Sequence, residues 1–386
     1  MSAEPKFKGL LSTLISFNTV SAYSNRVMID FVKDYLASFG ITCNIEPNED
    51  GTKADLIATI GPMVEGGIVL SGHTDVVPVE GQDWHSDPFE MVEKDNRFFG
   101  RGACDMKGFI AVALSLVPAF LERDLKVPLH LVFSYDEEVG CLGAPALIAR
   151  MCKDIPMPHA AIIGEPTSMK LVNAHKGVSL FETVVTGRPG HSSQTHIGVN
   201  AISYASACIL HLSKIEEEFK LSGGIDTRFE PPYSTISPGT IKGGTALNII
   251  AEKCKFVWDC RSISGNDGTR ALENFNDYCV ETLIPSMREI APEADIKTII
   301  KVSAPPLVAT SKNPAEVLVR HLTGQNYAGV VAYAAEAGLF QEAGVPSVIC
   351  GPGSIDQAHR PDEYVDITQL KQCEEFLLKL ADWAAE

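Results

Sequence analysis

Ser134-Tyr135-Asp136-Glu137-Glu138-Val139-Gly140 follows an apolar run, residues 129–133, that reads as a buried strand of a parallel sheet. Three consecutive carboxylates at the end of such a strand are hard to explain by packing alone. Neighbouring residues leave a strand in different directions, so Glu137 and Glu138 can serve different partners, one a metal ion and the other a proton. Acidic residues are also common in strand-end loops of ordinary surfaces. The rest of the chain decides between these readings.

Upstream, residues 68–70 form a short strand that enters Ser71-Gly72-His73-Thr74-Asp75. After a polar loop around Trp84 comes the Gly-rich stretch 97–108, and a helix starts near Gly108, with Pro118 expected to kink or end it. Downstream, a strand at 159–163 ends in Gly164-Glu165-Pro166-Thr167. Residues 7–16 and 25–39 carry helical periodicity, the second closed by Gly40, and 41–45 and 55–60 read as strands. Near the C-terminus, helices at 313–322 and 336–342 precede a strand at 347–350, a Gly-rich loop at 351–361 and a last helix at 367–384. Strands that alternate with helices and are apolar on both faces predict an α/β fold, a mostly parallel sheet with flanking helices. The texture changes near residue 178. A half-exposed strand at 178–186, a helix at 200–219, antiparallel strands at 236–241 and 251–260 and a helix at 269–288 predict an inserted α+β domain. The expected division is 1–177 and 294–386 for the α/β domain and 178–293 for the insertion.

Composition narrows the function. The chain of 386 residues, 45% hydrophobic and 21% charged, has the length of two domains. A formal net charge of -17 argues against nucleic acid or anionic membrane as a partner. No apolar run approaches the roughly 20 residues a membrane span needs, and the polar first ten residues do not read as a signal peptide. Ten cysteines without a Cys-x-x-Cys pair, among them Cys208, Cys254 and Cys350 in apolar surroundings, read as reduced core residues. Cytoplasm is the expected compartment.

Candidate ligands fall at the ends of successive core strands and in Gly-rich loops: His73, Asp105, Glu138, Glu165 and His359. In open α/β sheets, functional groups gather at the carboxyl ends of the strands. Two imidazoles and three carboxylates suit a pair of zinc-type ions when one carboxylate bridges them. Such ions sit about 3.5–4 Å apart and can share one nucleophile. Asp105, between Gly102 and Gly108 in a sharply turning loop, is the expected bridge. Each residue also has a plainer reading. Asp105 could cap the following helix, His73 could be a core histidine, and Glu165 a loop residue beside Pro166. His85, His130, His159, His196, His211 and His321 belong to no such pattern, and Cys104 and Cys141 read as small packing residues.

The motifs Ser71-Gly72-His73-Thr74-Asp75-Val76-Val77-Pro78, Gly102-Ala103-Cys104-Asp105-Met106-Lys107-Gly108, Asp136-Glu137-Glu138 and Gly164-Glu165-Pro166-Thr167 resemble the M20 metallopeptidase and aminoacylase family, essentially end to end. The late loop from Gly351 to Tyr364, with Ala174-His175-Lys176-Gly177, resembles its acetylornithine deacetylase branch. The resemblance implies a dizinc-peptidase-like fold whose inserted domain acts as lid and dimerisation domain. It implies two Zn2+, with Co2+ as a possible substitute: His73 and Glu165 on one ion, Glu138 and His359 on the other, and Asp105 between them through a cis peptide to Met106. Asp75 would orient His73 by accepting its other N–H, and Glu137 would be the general base, taking a proton from the attacking water to the leaving amine. In the insertion, His191 would stabilise the oxyanion in a partner subunit's site, Arg261 would grip the substrate carboxylate, and Asn248 would contact substrate. Their plain readings are a turn histidine for His191 and a surface pair with Asp259 for Arg261. Gly353 would approach the substrate with its backbone. The implied reaction is removal of acetate from N-acetyl-ornithine by a cytoplasmic homodimer. Succinyl-diaminopimelate desuccinylase, or a broader aminoacylase or metal dipeptidase, would share every ligand. The desuccinylase would need an added cation, for which Arg188, Arg360 and Lys176 are candidates.

Overall fold

The computed structural model describes residues 5–222 and 224–386. The first four residues of the polar N-terminal stretch lie outside that range. The chain forms two compact units. Among the described residues, the first runs up to 174 and takes in 309–330 and 335–386, and the second takes in those between 175 and 308 and 331–334.

The first unit is built on an eight-stranded sheet. Its order is Cys43–Pro47, Ala54–Ile60, Leu129–Ser134, Ile68–His73, Ala160–Pro166, Ser347–Gly351, Val172–His175, Gly329–Val331. The four middle strands run parallel, and the pairings outside them that bound this run are antiparallel. All four middle strands are buried along their whole length. Helices cover the sheet, and the one from Lys107 to Ser115 has every residue buried. Its apolar positions join Phe133, Ile162 and Leu377 in one core. The expected break at Pro118 falls between this helix and a short second one, Val117–Leu121, which carries the proline in its first turn, where a missing N–H is harmless.

A small sheet was not anticipated from the sequence. Tyr364–Asp366 pairs with Arg97–Phe99, which pairs with Val92–Lys94. Three-residue strands carry too little periodicity to be read beforehand.

The second unit has a four-stranded antiparallel sheet, ordered Thr235–Gly243, Lys253–Ser262, Gly177–Thr186, Asp295–Ala304. The helices Ala201–Ser222 and Asp267–Tyr278 pack on it around Trp258, Phe256 and Phe275. The strand Asp295–Ala304 corrects the expected boundary at 293, since it pairs with Gly177–Thr186 and carries the unit on to residue 308. The expected continuous helix over 269–288 is interrupted by a wide turn, Cys279–Leu283, before Ile284–Arg288. Pro285 has no N–H for the regular ladder, and local widening accommodates it.

Candidate active site

Every metal-capable residue anticipated from the sequence except Asp105 lies at the carboxyl end of a middle strand or in a loop that follows one. His73 is the last residue of Ile68–His73, Glu165 lies near the end of Ala160–Pro166, and Glu137 and Glu138 follow Leu129–Ser134. Parallel neighbours end on the same side of the sheet, so these side chains converge. Asp105 comes from the turn before the buried helix, through a cis bond to Met106. His359 comes from the loop after Ser347–Gly351, with φ of 63°.

Asp105 sits between the two imidazoles. Its Oδ1 is 3.0 Å from His73 Nε2 and its Oδ2 is 3.3 Å from His359 Nε2. Glu165 Oε1 lies 3.7 Å from His73 Nε2, and Glu138 Oε2 lies 2.9 Å from His359 Nε2. Ligand atoms of His73, Glu137 and Glu165 converge within 4.8 Å of one another, as do those of His73, Asp105 and Glu138. His73 donates from Nδ1 to the Asp75 carbonyl at 2.9 Å, which turns Nε2 toward the carboxylates.

Charge is crowded here. Burial pushes Glu138 up to about 7, helped by the charge of Asp105 and opposed by His359. Burial raises Glu137 and Glu165 well above the ordinary range, with neighbouring carboxylates adding to it. Asp105 goes the other way: burial works against its charge, but hydrogen bonds from His359 and His73 outweigh it. Hydrogen bonds with Asp105 and Glu138 lift His359 to about 10. Glu138 Oε1 and Glu165 Oε1 are buried without a hydrogen-bond partner. A buried carboxylate oxygen with no donor is costly. Imidazole nitrogens and carboxylate oxygens in this arrangement suit divalent cations of the zinc type, so the residues fit such a group.

Asp75 does more, and less, than expected. Its carboxylate is 3.6 Å from His73 Nδ1, longer than the main-chain contact. That carboxylate is occupied elsewhere. It accepts from Ser21 Oγ at 2.6 Å, Glu137 N at 3.1 Å and Glu138 N at 3.2 Å, fixing the acidic turn itself. Asp136, the first of the three acidic residues, takes Lys53 Nζ at 2.5 Å. Cys141 Sγ lies 3.6 Å from Glu137 Oε1, a contact absent from the reading of this residue as plain packing.

Gly353 has a structural cause. Its φ is 90°, and a Cβ there would sit 2.5 Å from Cys104 Sγ. Its N–H is donated to Gln369 Oε1 at 2.7 Å, and its carbonyl accepts from Ser168 N at 2.5 Å. Both polar groups are used within the protein.

The remaining candidates belong to the second unit. Ser192 N donates to the Asn248 carbonyl at 3.0 Å and Ile250 N to that of Gly190 at 2.8 Å, which sets His191 and Asn248 on adjoining segments. The exposed His191 accepts at Nδ1 from Ser193 N. Arg261 donates from Nε to Asp259 Oδ2 at 3.2 Å, the surface pair of its plainer reading. Two buried carboxylates in the first unit, Glu336 and Glu363, each 1% exposed, were not among the residues anticipated from the sequence. Glu336 accepts from Ser71 Oγ at 3.3 Å, two residues before His73.

Comparison with known proteins agrees with this geometry. The chain is similar to acetylornithine deacetylase of Pasteurella multocida, 34% identical over 98% of both chains. It is similar also to that of Proteus mirabilis, 33% identical over 98% of this chain and 96% of that one. In fold it is similar to an M20 family metallo-carboxypeptidase of Sulfolobus solfataricus, with TM-score 0.77 and 17% identity over 99% of this chain and 100% of that one. A Bacillus cereus aminopeptidase is similar at TM-score 0.75 and 15% identity, over 99% of this chain and 98% of that one. The model of peptidase family M20/M25/M40 matches residues 69–383. The chain therefore belongs to peptidase family M20/M25/M40 and is a metal-dependent hydrolase.

Proposed function

We propose that the chain hydrolyses N-acetyl-L-ornithine to L-ornithine and acetate, a step of arginine biosynthesis, as a cytoplasmic homodimer with two zinc ions that cobalt can replace. The observation that carries the hydrolytic reading is Asp105, with one oxygen toward His73 and the other toward His359. The substrate rests on the full-length relatives named acetylornithine deacetylase.

His73 and Glu165 would hold one ion and Glu138 and His359 the other, with Asp105 placed to serve both. Bound there, the ions would supply Lewis acidity toward an acyl oxygen and acidify water near neutral pH. Glu137 takes the proton of the attacking water and delivers it to the departing amine nitrogen, a role its enclosed position supports. Asp75 fixes the main chain of Glu137 and Glu138 through their own N–H groups. His191 donates to the oxyanion in a partner subunit's site, Arg261 pairs with the substrate carboxylate, and Asn248 adds a polar contact. Gly353 gives the substrate a backbone surface without a Cβ.

Two of the three candidate cations for a second, succinyl carboxylate are engaged elsewhere. Arg188 is paired with Glu293 at 2.7 Å, and Lys176 Nζ donates to the carbonyls of Pro231 and Tyr233. Neither offers a spare cation to a second carboxylate, whereas the third candidate, Arg360, is exposed beside His359. For the homodimer, the support is an exposed edge. Residues 237–243 of the strand Thr235–Gly243 are all exposed, and Ile241, Leu247 and Ile249 are bared beside it at 53%, 101% and 44%.

A hydrolysis panel tests the substrate: N-acetyl-ornithine, N-succinyl-diaminopimelate, other N-acetyl amino acids and a dipeptide, each with zinc and with cobalt. N-acetyl-ornithine is expected to turn over fastest. Faster succinyl turnover would replace the substrate, and a fast dipeptide would point to a peptidase.

A further inference from the structure

The chemistry above has no use for Glu363, yet this carboxylate collects four donors. Oε2 accepts from Arg101 Nη1 at 2.7 Å and Gly102 N at 3.1 Å. Oε1 accepts from Cys104 N at 2.8 Å and Asp105 N at 3.0 Å. The three N–H groups belong to the turn that presents Asp105. The small sheet puts Glu363 there: Tyr364–Asp366 runs beside Arg97–Phe99, and Gly100 N donates to the Glu363 carbonyl at 2.9 Å.

Arg101 extends the chain of contacts to the other ligand. It is 1% exposed, and its Nη1 also donates to the Arg360 carbonyl at 3.3 Å. Its Nη2 donates to Gln82 Oε1 at 2.5 Å, and Gln82 Nε2 donates to the His359 carbonyl at 3.0 Å. Hydrogen bonds thus run from Asp105 N through Glu363, Arg101 and Gln82 to His359. The side chains at the two ends meet again at 3.3 Å, which closes a ring.

We propose that Glu363, Arg101 and Gln82 are positioning residues that hold Asp105 and His359 at ligand separation before an ion arrives, and so raise affinity for the ion these two share. This rests on the reading of Asp105 and His359 as metal ligands. Without the ring, binding would have to order two separate loops, and that ordering would subtract from affinity. An anion is the right hub, because all four groups it meets are donors. Glutamine at 363 would turn an NH2 group toward one pair of them. Partners outside the ligands are typically worth 10–100-fold in metal affinity.

The test measures zinc binding to metal-free protein by competition with a chromogenic chelator, alongside thermal unfolding of the same metal-free samples. The wild type is compared with Gln82→Ala and Glu363→Gln. Gln82 is only half-buried, so its variant keeps the fold even where Glu363→Gln does not. The expected result is an affinity about 10–100-fold lower for one of the two ions, with the metal-free melting temperature of Gln82→Ala unchanged. Wild-type affinity for both ions in Gln82→Ala would overturn the positioning role while leaving the ligand reading intact. A wild-type protein that binds no zinc would overturn the ligand reading itself and this inference with it.

Discussion

Glu137 and Glu138 are adjacent, half-buried and chemically identical, yet the structure gives them different neighbours. Glu138 faces His359 at 2.9 Å, while Glu137 lies with His73 and Glu165 and takes a contact from Cys141. Glu137→Gln should therefore bind two zinc ions nearly as well as the wild type and lose about 10²–10⁴-fold in kcat. Steady-state kinetics with metal analysis of the same sample checks this, and loss of an ion in place of kcat would reverse the two assignments. The candidate ligands were legible in the sequence because they stand at the end of a strand or inside a glycine-rich turn, where packing does not call for a charge. Glu336 and Glu363 were not legible. Glu336 sits in an alanine-rich stretch, and Glu363 follows Asp362 in a polar loop, so each looks like surface. A signal for Glu363 did exist: Arg101 stands between two glycines ahead of a buried helix, and a buried guanidinium requires an anion.

The strands of the first unit were legible as elements because strands buried on both faces read as continuous apolar runs. The strand Asp295–Ala304 failed that test. Its faces do not alternate cleanly, its register shifts between Ile300 and Val302, and Ile299 and Ile300 are both exposed. Edge position removes the burial that would otherwise write a pattern into sequence. The opposite edge, Thr235–Gly243, carries a prediction. If it joins two copies, a lysine at Ile241 or an aspartate at Leu247 brings unpaired charge into a contact between apolar groups. Ile241→Lys and Leu247→Asp should halve the solution mass measured by light scattering and leave the circular dichroism unchanged. A mass equal to that of the wild type in both would move the interface elsewhere.

For the molecule as a whole, one buried imidazole sets a limit on acid stability. His130 lies on Leu129–Ser134, fully buried, with Nδ1 3.0 Å from Thr59 Oγ1 and Nε2 without a partner. Burial pushes its pKa down to about 4, whereas in an unfolded chain it would lie near 6.5. Between those values the unfolded chain binds the extra proton, so stability is complete above about 6.5 and falls as pH drops toward about 4. From pH 7 to 5 the loss from this residue is about 2 kcal/mol. Urea unfolding of metal-free wild type and His130→Gln at the two pH values checks it, and an equal pH dependence in both would remove the role. The sheet also has a history in time. Its strand Ser347–Gly351, which pairs with Ala160–Pro166 and lies on the path to His359, leaves the ribosome long after that neighbour. The second unit, whose last residue is 334, is synthesised in full before that strand exists. Domains generally fold as units as they emerge. The nascent protein therefore carries a finished insertion while the middle of its main sheet is still open, and the candidate ligand set is completed only after that insertion. A chain truncated before residue 347 would be held unfinished on the apolar flank of Ala160–Pro166, a surface for chaperones to recognise.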